Sequence, residues 1–144
     1  MVLLEEINNA NCKEVKKIQL LENQEKYLPK EFICLSDANE NHDQYESYLV
    51  YKDAQPIGFV LLQVDKKNEH FNILFVAIDK YYEGESYLRE ALTVSVNYLI
   101  SQGASEVGAY YPQGNEELEK IYRSIGFKNT SLVKEGKVYL TYSN

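Results

Sequence analysis

The pattern of apolar and polar positions changes its period along the chain. Alternating or unbroken apolar runs rich in Val, Ile, Tyr and Phe are typical of strands, whereas apolar residues three and four positions apart are typical of helices. By these criteria the sequence predicts strands over residues 2–7, 48–51, 56–64, 71–78, 107–111, 127–133 and 138–142.

Helical spacing is found in four other segments. The sequence predicts helices over residues 12–21, 29–39, 85–101 and 115–125. Asn9 or Asn11 can cap the first helix and Asn115 the last, while Gly103 and Gly126 stand where the last two helices end.

The resulting order is β-α-α-β-β-β-α-β-α-β-β. The run 71–78 is almost entirely apolar, which indicates a central strand buried on both faces. No repeat or linker divides the chain, so we expect one domain over residues 1–144. This order predicts an α+β fold with one mixed sheet and helices packed on it.

Charge narrows the classes of partner. The 144 residues include 15 Lys and Arg against 22 Asp and Glu, a formal net charge of −7. An acidic surface repels nucleic-acid phosphates and anionic lipids, so we expect neither nucleic acid nor a membrane as partner. It favours cationic small molecules.

The two cysteines, Cys12 and Cys34, have no second cysteine or histidine at metal-ligand spacing. We therefore expect no metal site and two reduced thiols, with a disulfide as the alternative. The first residues, MVLLEEINN, lack the basic segment of a signal peptide. Together these features favour a cytoplasmic protein.

Two local motifs and the order of elements resemble one family. Residues 76–92 form a strand, a loop and a helix, and Asn115 precedes Tyr122 by seven positions, with Gly126-Phe127 following. The chain resembles the GNAT superfamily of acetyl-coenzyme A-dependent N-acetyltransferases, whose cofactor loop usually reads Gln/Arg-x-x-Gly-x-Gly/Ala.

The resemblance implies a mixed, mostly antiparallel central sheet with helices on both faces, and acetyl-CoA as cofactor. It also implies roles for particular residues. Main-chain groups of Val76 and Ile78 would hold the pantetheine arm, Asn115 would lie near that arm, and Tyr122 would be the general acid for the departing thiolate. The pyrophosphate would face Glu83, Gly84, Glu85, Ser86, Tyr87 and Leu88.

Simpler interpretations stay open for two of these residues. Tyr122 is one of 13 tyrosines, and a tyrosine on an amphipathic helix is usually there for packing. Capping alone explains an Asn at position 115.

The cofactor loop departs from the family pattern. Glu83, Ser86 and Leu88 replace its opening Gln/Arg, its second glycine and its last Gly/Ala. Two unit charges about 4 Å apart repel by about 1 kcal/mol in water and about 4 kcal/mol at an effective dielectric constant near 20. The carboxylates of Glu83 and Glu85 therefore predict reduced affinity for acetyl-CoA, unless they only complement the helix dipole.

A weaker resemblance concerns the acceptor. Residues 22–28 and 34–38 look like the helical region of bacterial spermine/spermidine-type acetyltransferases, although Gln24, Tyr27 and Leu28 also suit a plain connection between helices. With the net charge, this favours an N-acetyltransferase of a small cationic, polyamine-like amine. The alternative is a catalytically impaired GNAT domain that serves as a binding module. The family often forms dimers, which leaves a homodimer open.

Overall fold

Seven strands form one sheet in the computed structural model, which describes residues 2–8, 10–19, 45–82 and 84–143. The strands are β1 (Val2–Glu6), β2 (Tyr45–Lys52), β3 (Gln55–Asp65), β4 (His70–Ile78), β5 (Glu106–Pro112), β6 (Lys128–Lys134) and β7 (Lys137–Ser143). The helices are α1 (Glu85–Ser101) and α2 (Glu116–Ile125), with short 3-10 helices at Cys12–Lys17 and Lys80–Tyr82. All seven predicted strands are confirmed, with ends shifted by three residues at most.

The sheet order is β1-β2-β3-β4-β5-β7-β6, and every neighbouring pair but one is antiparallel. The exception is β4 with β5, which run parallel and pair only at Asn72–Gly108 and Ile73–Ala109. β4 continues to Ile78 without β5 beside it, whereas β3 accompanies β4 to that end. The two central strands therefore separate, and a gap opens in the middle of the sheet.

A bulge in β4 lies next to this gap. The register with β3 shifts so that Leu61 faces Phe75 and Leu62 faces Ile73, which leaves Leu74 as the extra residue. Because side chains alternate along a strand, one extra residue exchanges the two faces. Ile73 before the bulge and Val76 after it consequently contribute to the same core cluster.

The sheet carries a different core on each face. The helix-covered face packs against buried residues of α1 and α2, such as Leu92 and Ile121. The second face has a smaller cluster formed by Ile18, Leu49, Phe59, Leu61 and Ala77. Alternation along β2 and β3 assigns consecutive residues to opposite faces, as expected for strands buried on both sides.

The prediction of an α-helix over 12–21 is wrong, because the structure has a 3-10 helix that ends at Lys17. The side chain of Asn11 does not cap it but bonds backwards. Its Oδ1 accepts from the Asn8 N–H at 2.8 Å, and its Nδ2 donates to the Glu6 carbonyl at 2.8 Å. Ile18 is already extended. The helix predicted over 29–39 lies outside the described residues.

The expectation of a reduced thiol at Cys12 is also wrong, because Cys12 is disulfide-bonded. The chain's other cysteine, Cys34, lies outside the described residues. No helix in the described part of the chain is long and apolar enough to cross a membrane.

Gly58 provides a test of how closely β3 approaches the end of β4. A Cβ at this position would lie 2.3 Å from the Ala77 carbonyl oxygen and 2.8 Å from Ile78 Cδ1. We expect Gly58→Ala to lower the free energy of unfolding by about 1–3 kcal/mol, measured by urea denaturation, because backbone has to move. Gln55→Ala, at the exposed start of β3, should change it by less than about 0.5 kcal/mol. Equal urea midpoints for Gly58→Ala and Gln55→Ala would contradict this close approach of β3 to β4.

Candidate functional site

The gap between β4 and β5 leaves the last main-chain groups of β4 without pairing to β5. The Asp79 N–H donates to the Ile57 carbonyl at 2.6 Å, so main-chain groups at this position point toward β3. In an antiparallel pair the direction alternates residue by residue, and the register from Gly58–Ile78 to Leu61–Phe75 is unbroken. The N–H and C=O of Val76 and Ile78 therefore point away from β3, toward the gap.

Asp79 fixes the chain where β4 ends. Its buried carboxylate accepts from the Gln19 N–H and the Tyr81 N–H, both at 2.9 Å. The Lys80 N–H donates in turn to the Gln19 carbonyl at 2.7 Å. Asp79 thus joins the segment after the first 3-10 helix to the turn that leads into α1, and so holds one side of the gap.

α1 begins close to the end of β4. Gly84 precedes it with φ 146° and ψ 149°, and apart from Gly84 and its two chain neighbours no described residue has an atom within 4 Å of the place where a Cβ would be. The first N–H groups of a helix carry partial positive charge and bind anions readily. Ser86 in the first turn is exposed. Glu83 lies outside the described residues, and Glu85 starts the helix with a side chain that is not described.

Leu88 and Tyr87 turn toward the body of the protein, where both pack against the core of the helix-covered face. The Tyr87 ring meets Tyr82 edge-on, with centroids 6.0 Å apart. Leu88 therefore has a packing role at the position where the family pattern has a small residue.

Lys52 is a cation beside α1 that the sequence did not point to. Its Nζ donates to the Tyr87 hydroxyl and lies 4.5 Å from the centroid of that ring. The two residues are 35 positions apart, so only the fold brings them together. Two other cations, Lys80 and Arg89, flank the start of α1 in the sequence and contact other residues. Lys80 Nζ lies 5.2 Å from the centroid of the Tyr81 ring, and Arg89 Nε donates to Ser124 Oγ at 3.1 Å.

Tyr122 lies on α2 and is completely buried on the helix-covered face. Its ring packs edge-on against Phe127, with centroids 5.0 Å apart. Its hydroxyl has no hydrogen-bond partner among the residues that the structure describes. Burial raises the pKa of this hydroxyl well above its ordinary value, which keeps the proton on the oxygen.

Asn115 caps α2, as predicted. Its Oδ1 accepts from the Leu118 N–H at 3.1 Å. Glu116, Glu117 and Glu119 follow in the first turn, where negative charge complements the helix dipole.

The fold therefore brings several of the predicted residues together. Val76, Ile78 and Tyr122 belong to one core cluster, against which Tyr87 and Leu88 pack. The arrangement combines open main-chain groups on β4, an uncapped helix start and a buried proton donor. These parts suit a thioester cofactor that has an extended amide-containing arm and a pyrophosphate.

Comparisons with known proteins agree with this arrangement. The family model described as an acetyltransferase (GNAT) domain matches residues 8–128. No curated protein matches the chain significantly in sequence.

Many solved structures share the fold. An acetyltransferase from Thermus thermophilus is 14% identical, with a TM-score of 0.80 over 100% of this chain and 97% of its own. Spermidine N-acetyltransferase from Vibrio cholerae, in complex with CoA and spermine, is 13% identical with a TM-score of 0.81, over 99% and 95%. Ribosomal-protein-S5-alanine acetyltransferase from Vibrio fischeri is 15% identical with a TM-score of 0.73, over 99% and 93%.

At these identities the structures show a shared fold, while the family model covers most of the chain and identifies the family. GNAT acetyltransferases use acetyl-CoA. The expectation of an α+β GNAT fold is confirmed, and the chain belongs to the GNAT acetyltransferase family.

Proposed function

We propose that this chain transfers the acetyl group of acetyl-CoA to the amine of a small cationic molecule. One observation carries the proposal: the open main-chain edge of β4 borders the core cluster that contains the Tyr122 hydroxyl, which has no hydrogen-bond partner within the described part of the chain. A buried hydroxyl without a partner costs about 1–3 kcal/mol, so a function for it is expected.

The residues of this chain fit the cofactor. Main-chain groups of Val76 and Ile78 would form hydrogen bonds with the amides of the pantetheine arm. The arm would thus take the place beside β4 that β5 would occupy if it continued. The N–H groups after Gly84 would bind the pyrophosphate, and Lys52 adds a positive charge on the same side of the sheet. The bound thioester supplies an activated acetyl group.

Tyr122 has the chemistry of a general acid. The neutral amine would form the new C–N bond while the C–S bond breaks, and the Tyr122 hydroxyl would give its proton to the departing sulfur. The nitrogen would then lose its extra proton to solvent, and the tyrosinate would regain one from solvent. Burial raises the pKa of the phenol, and the same surroundings would also raise the pKa of the thiol formed from the departing sulfur.

Charge supports a cationic acceptor. The net charge of −7 attracts amines from solution, and a spermidine acetyltransferase is among the proteins with this fold. Glu22, Glu25, Glu31 and Asp37 belong to the segments that resemble the spermine/spermidine-type enzymes or lie next to them, and all four lie outside the described residues. Polyamine specificity and a cytoplasmic homodimer both stay predictions.

The alternative is a GNAT domain that has lost catalysis and serves as a binding module. Glu83, Ser86 and Leu88 stand at the defined positions of the usual cofactor-loop pattern, so none of these positions keeps its usual residue. Glu83 and Glu85 also add negative charge close to the proposed pyrophosphate position. The packing of Leu88 against the core weakens this alternative, because its side chain is taken up by the fold.

Calorimetry with acetyl-CoA separates the two functions. We expect saturable binding with a dissociation constant between about 1 µM and 1 mM, the usual range for enzyme substrates. Thiol release should then depend on added spermidine and exceed release with a neutral amine of similar length. Absence of heat at millimolar acetyl-CoA would exclude the enzyme, whereas binding without thiol release from any amine would support the binding module.

Substitution of Tyr122 by phenylalanine tests the proton donor. We expect kcat to fall by about 10²–10⁴-fold, the usual contribution of a general acid. The free energy of unfolding should stay the same or rise by up to about 1 kcal/mol, because the removed hydroxyl bonds to none of the described residues.

Tyr111→Phe is the matched control. Tyr111 is also buried, but its hydroxyl accepts from Asn129 Nδ2 at 3.3 Å. This variant should lose about 0.5–1.5 kcal/mol of stability and keep its kcat. Equal kcat values for the Tyr122 and Tyr111 variants would contradict the assigned role.

Substitutions of Asn115 distinguish its cap from a contact with the cofactor. Asn115→Ala should cost about 1 kcal/mol of stability, and Asn115→Asp should cost little, because a carboxylate caps equally well. Denaturation and calorimetry are measured on both. If Asn115 contacts the cofactor through its amide, both variants bind acetyl-CoA more weakly; if it only caps, Asn115→Asp binds like the wild type.

A further inference from the structure

Beside the gap, on the second face of the sheet, lies a group of uncharged polar side chains with no role so far. Asn72, Tyr110 and Tyr139 form this group, named here the Asn72–Tyr139 patch. Each alternates along its strand with residues of the helix-covered core, so each side chain points to the opposite face. Asn72 belongs to the first of the two rungs on which β4 and β5 pair.

Gly108 makes the patch possible. A Cβ at Gly108 would lie 2.0 Å from Asn72 Oδ1 and 2.4 Å from the Tyr139 hydroxyl. Any side chain there would push these two groups apart, and a glycine inside a strand often marks such a close approach. Asn72 and Tyr139 can therefore approach each other over Gly108 because this residue has no side chain.

The amide of Asn72 is held in place. Its Nδ2 donates to Gln63 Oε1 at 2.7 Å, which leaves Oδ1 directed at Gly108 and Tyr139. The Tyr139 hydroxyl donates to that oxygen at 3.5 Å, at the far limit of a hydrogen bond. The ring of Tyr110 packs on Tyr139, with centroids 4.9 Å apart. Both oxygens of the patch keep capacity to accept a better donor.

We propose that the Asn72–Tyr139 patch binds the reacting amine of the acceptor. The inference rests on the proposed function and assigns the acceptor to the second face. Tyr122 lies on the helix-covered face, so the amine and the proton donor are on opposite sides of the gap. This separation lets the nitrogen reach the acetyl carbon while the departing sulfur stays on the side of Tyr122.

The chemistry of the patch suits an amine that is about to react. Only the neutral amine has the lone pair for the new C–N bond, and a carboxylate in contact would stabilise the ammonium form instead. The amide oxygen and the phenol oxygen accept N–H bonds without a full charge. The ring faces of Tyr110 and Tyr139 attract a second, still charged nitrogen of the same molecule. A primary amine on a cationic chain matches this combination.

Kinetics of Tyr139→Phe test the proposal. We expect the KM for spermidine to rise about three- to tenfold, the effect of one lost hydrogen bond, with the KM for acetyl-CoA unchanged. The control is Tyr142→Phe on the same strand, because Tyr142 points to the helix-covered face and packs on Phe127 at 5.5 Å between centroids. It should leave both KM values unchanged. A KM for spermidine that is equal in the two variants would overturn the proposal.

A double variant adds an independent measure. Asn72→Ala alone should also raise the KM for spermidine. In the double variant with Tyr139→Phe, the fold-increase in KM should be smaller than the product of the two single fold-increases, because both groups bind the same nitrogen. A purely structural patch would instead lower thermal stability and change both KM values together. If the wild type shows no turnover, the proposed function fails. Titration of spermidine by calorimetry then tests the patch by itself. Less heat for Tyr139→Phe than for Tyr142→Phe supports the patch, and equal heat for these two variants overturns it.

Discussion

The unequal pairing of β4 is the constraint on which the site depends. β3 accompanies β4 to its end, while β5 pairs with it on two rungs only. The β3 side supplies rigidity, since the close contact at Gly58 and the carboxylate of Asp79 fix the last residues of β4. On the β5 side, the last N–H and C=O groups of β4 have no hydrogen-bond ladder to a neighbouring strand. Unpaired main-chain groups at a strand edge are costly when dry and effective when a ligand pairs with them. The same strand thus provides both the support and the binding edge.

The bulge at Leu74 connects this edge to the two cores. Without the extra residue, Val76 and Ile78 would face the second face and Ala77 the helices, which would bury the wrong side chains on both layers. The bulge keeps a continuous core under α1 and α2 and also sets which main-chain groups face the gap. The bulge therefore determines both which side chains enter the cores and which main-chain groups face the gap.

Much of the fold was predictable because strands and helices differ in period. Seven strands, the capped helix after Asn115 and the helix after Gly84 all follow from apolar spacing and from capping residues. The 3-10 helix at Cys12–Lys17 could not be predicted, because Asn11 bonds to the preceding Glu6 and Asn8 instead of capping a helix. An asparagine can form either set of hydrogen bonds, so its presence in the sequence does not decide between them. The contact of Lys52 with Tyr87 joins distant parts of the chain, so no local pattern contains it. For the Asn72–Tyr139 patch one signal existed: Gly108 inside a short apolar strand.

The acidity of the chain acts differently on the two faces of the gap. In the proposed binding mode a dianionic pyrophosphate would lie on the helix-covered face, where the α1 N-terminus and Lys52 would offset the negative charge of the loop glutamates. On the second face the described patch is uncharged, and burial raises the pKa of the Tyr139 hydroxyl, with smaller contributions from Tyr110 and Glu106. Carboxylates at a distance attract a cation, whereas carboxylates in contact hold it protonated. A chain that is acidic overall but uncharged at the proposed amine site would therefore satisfy both requirements of acetyl transfer to a cationic amine.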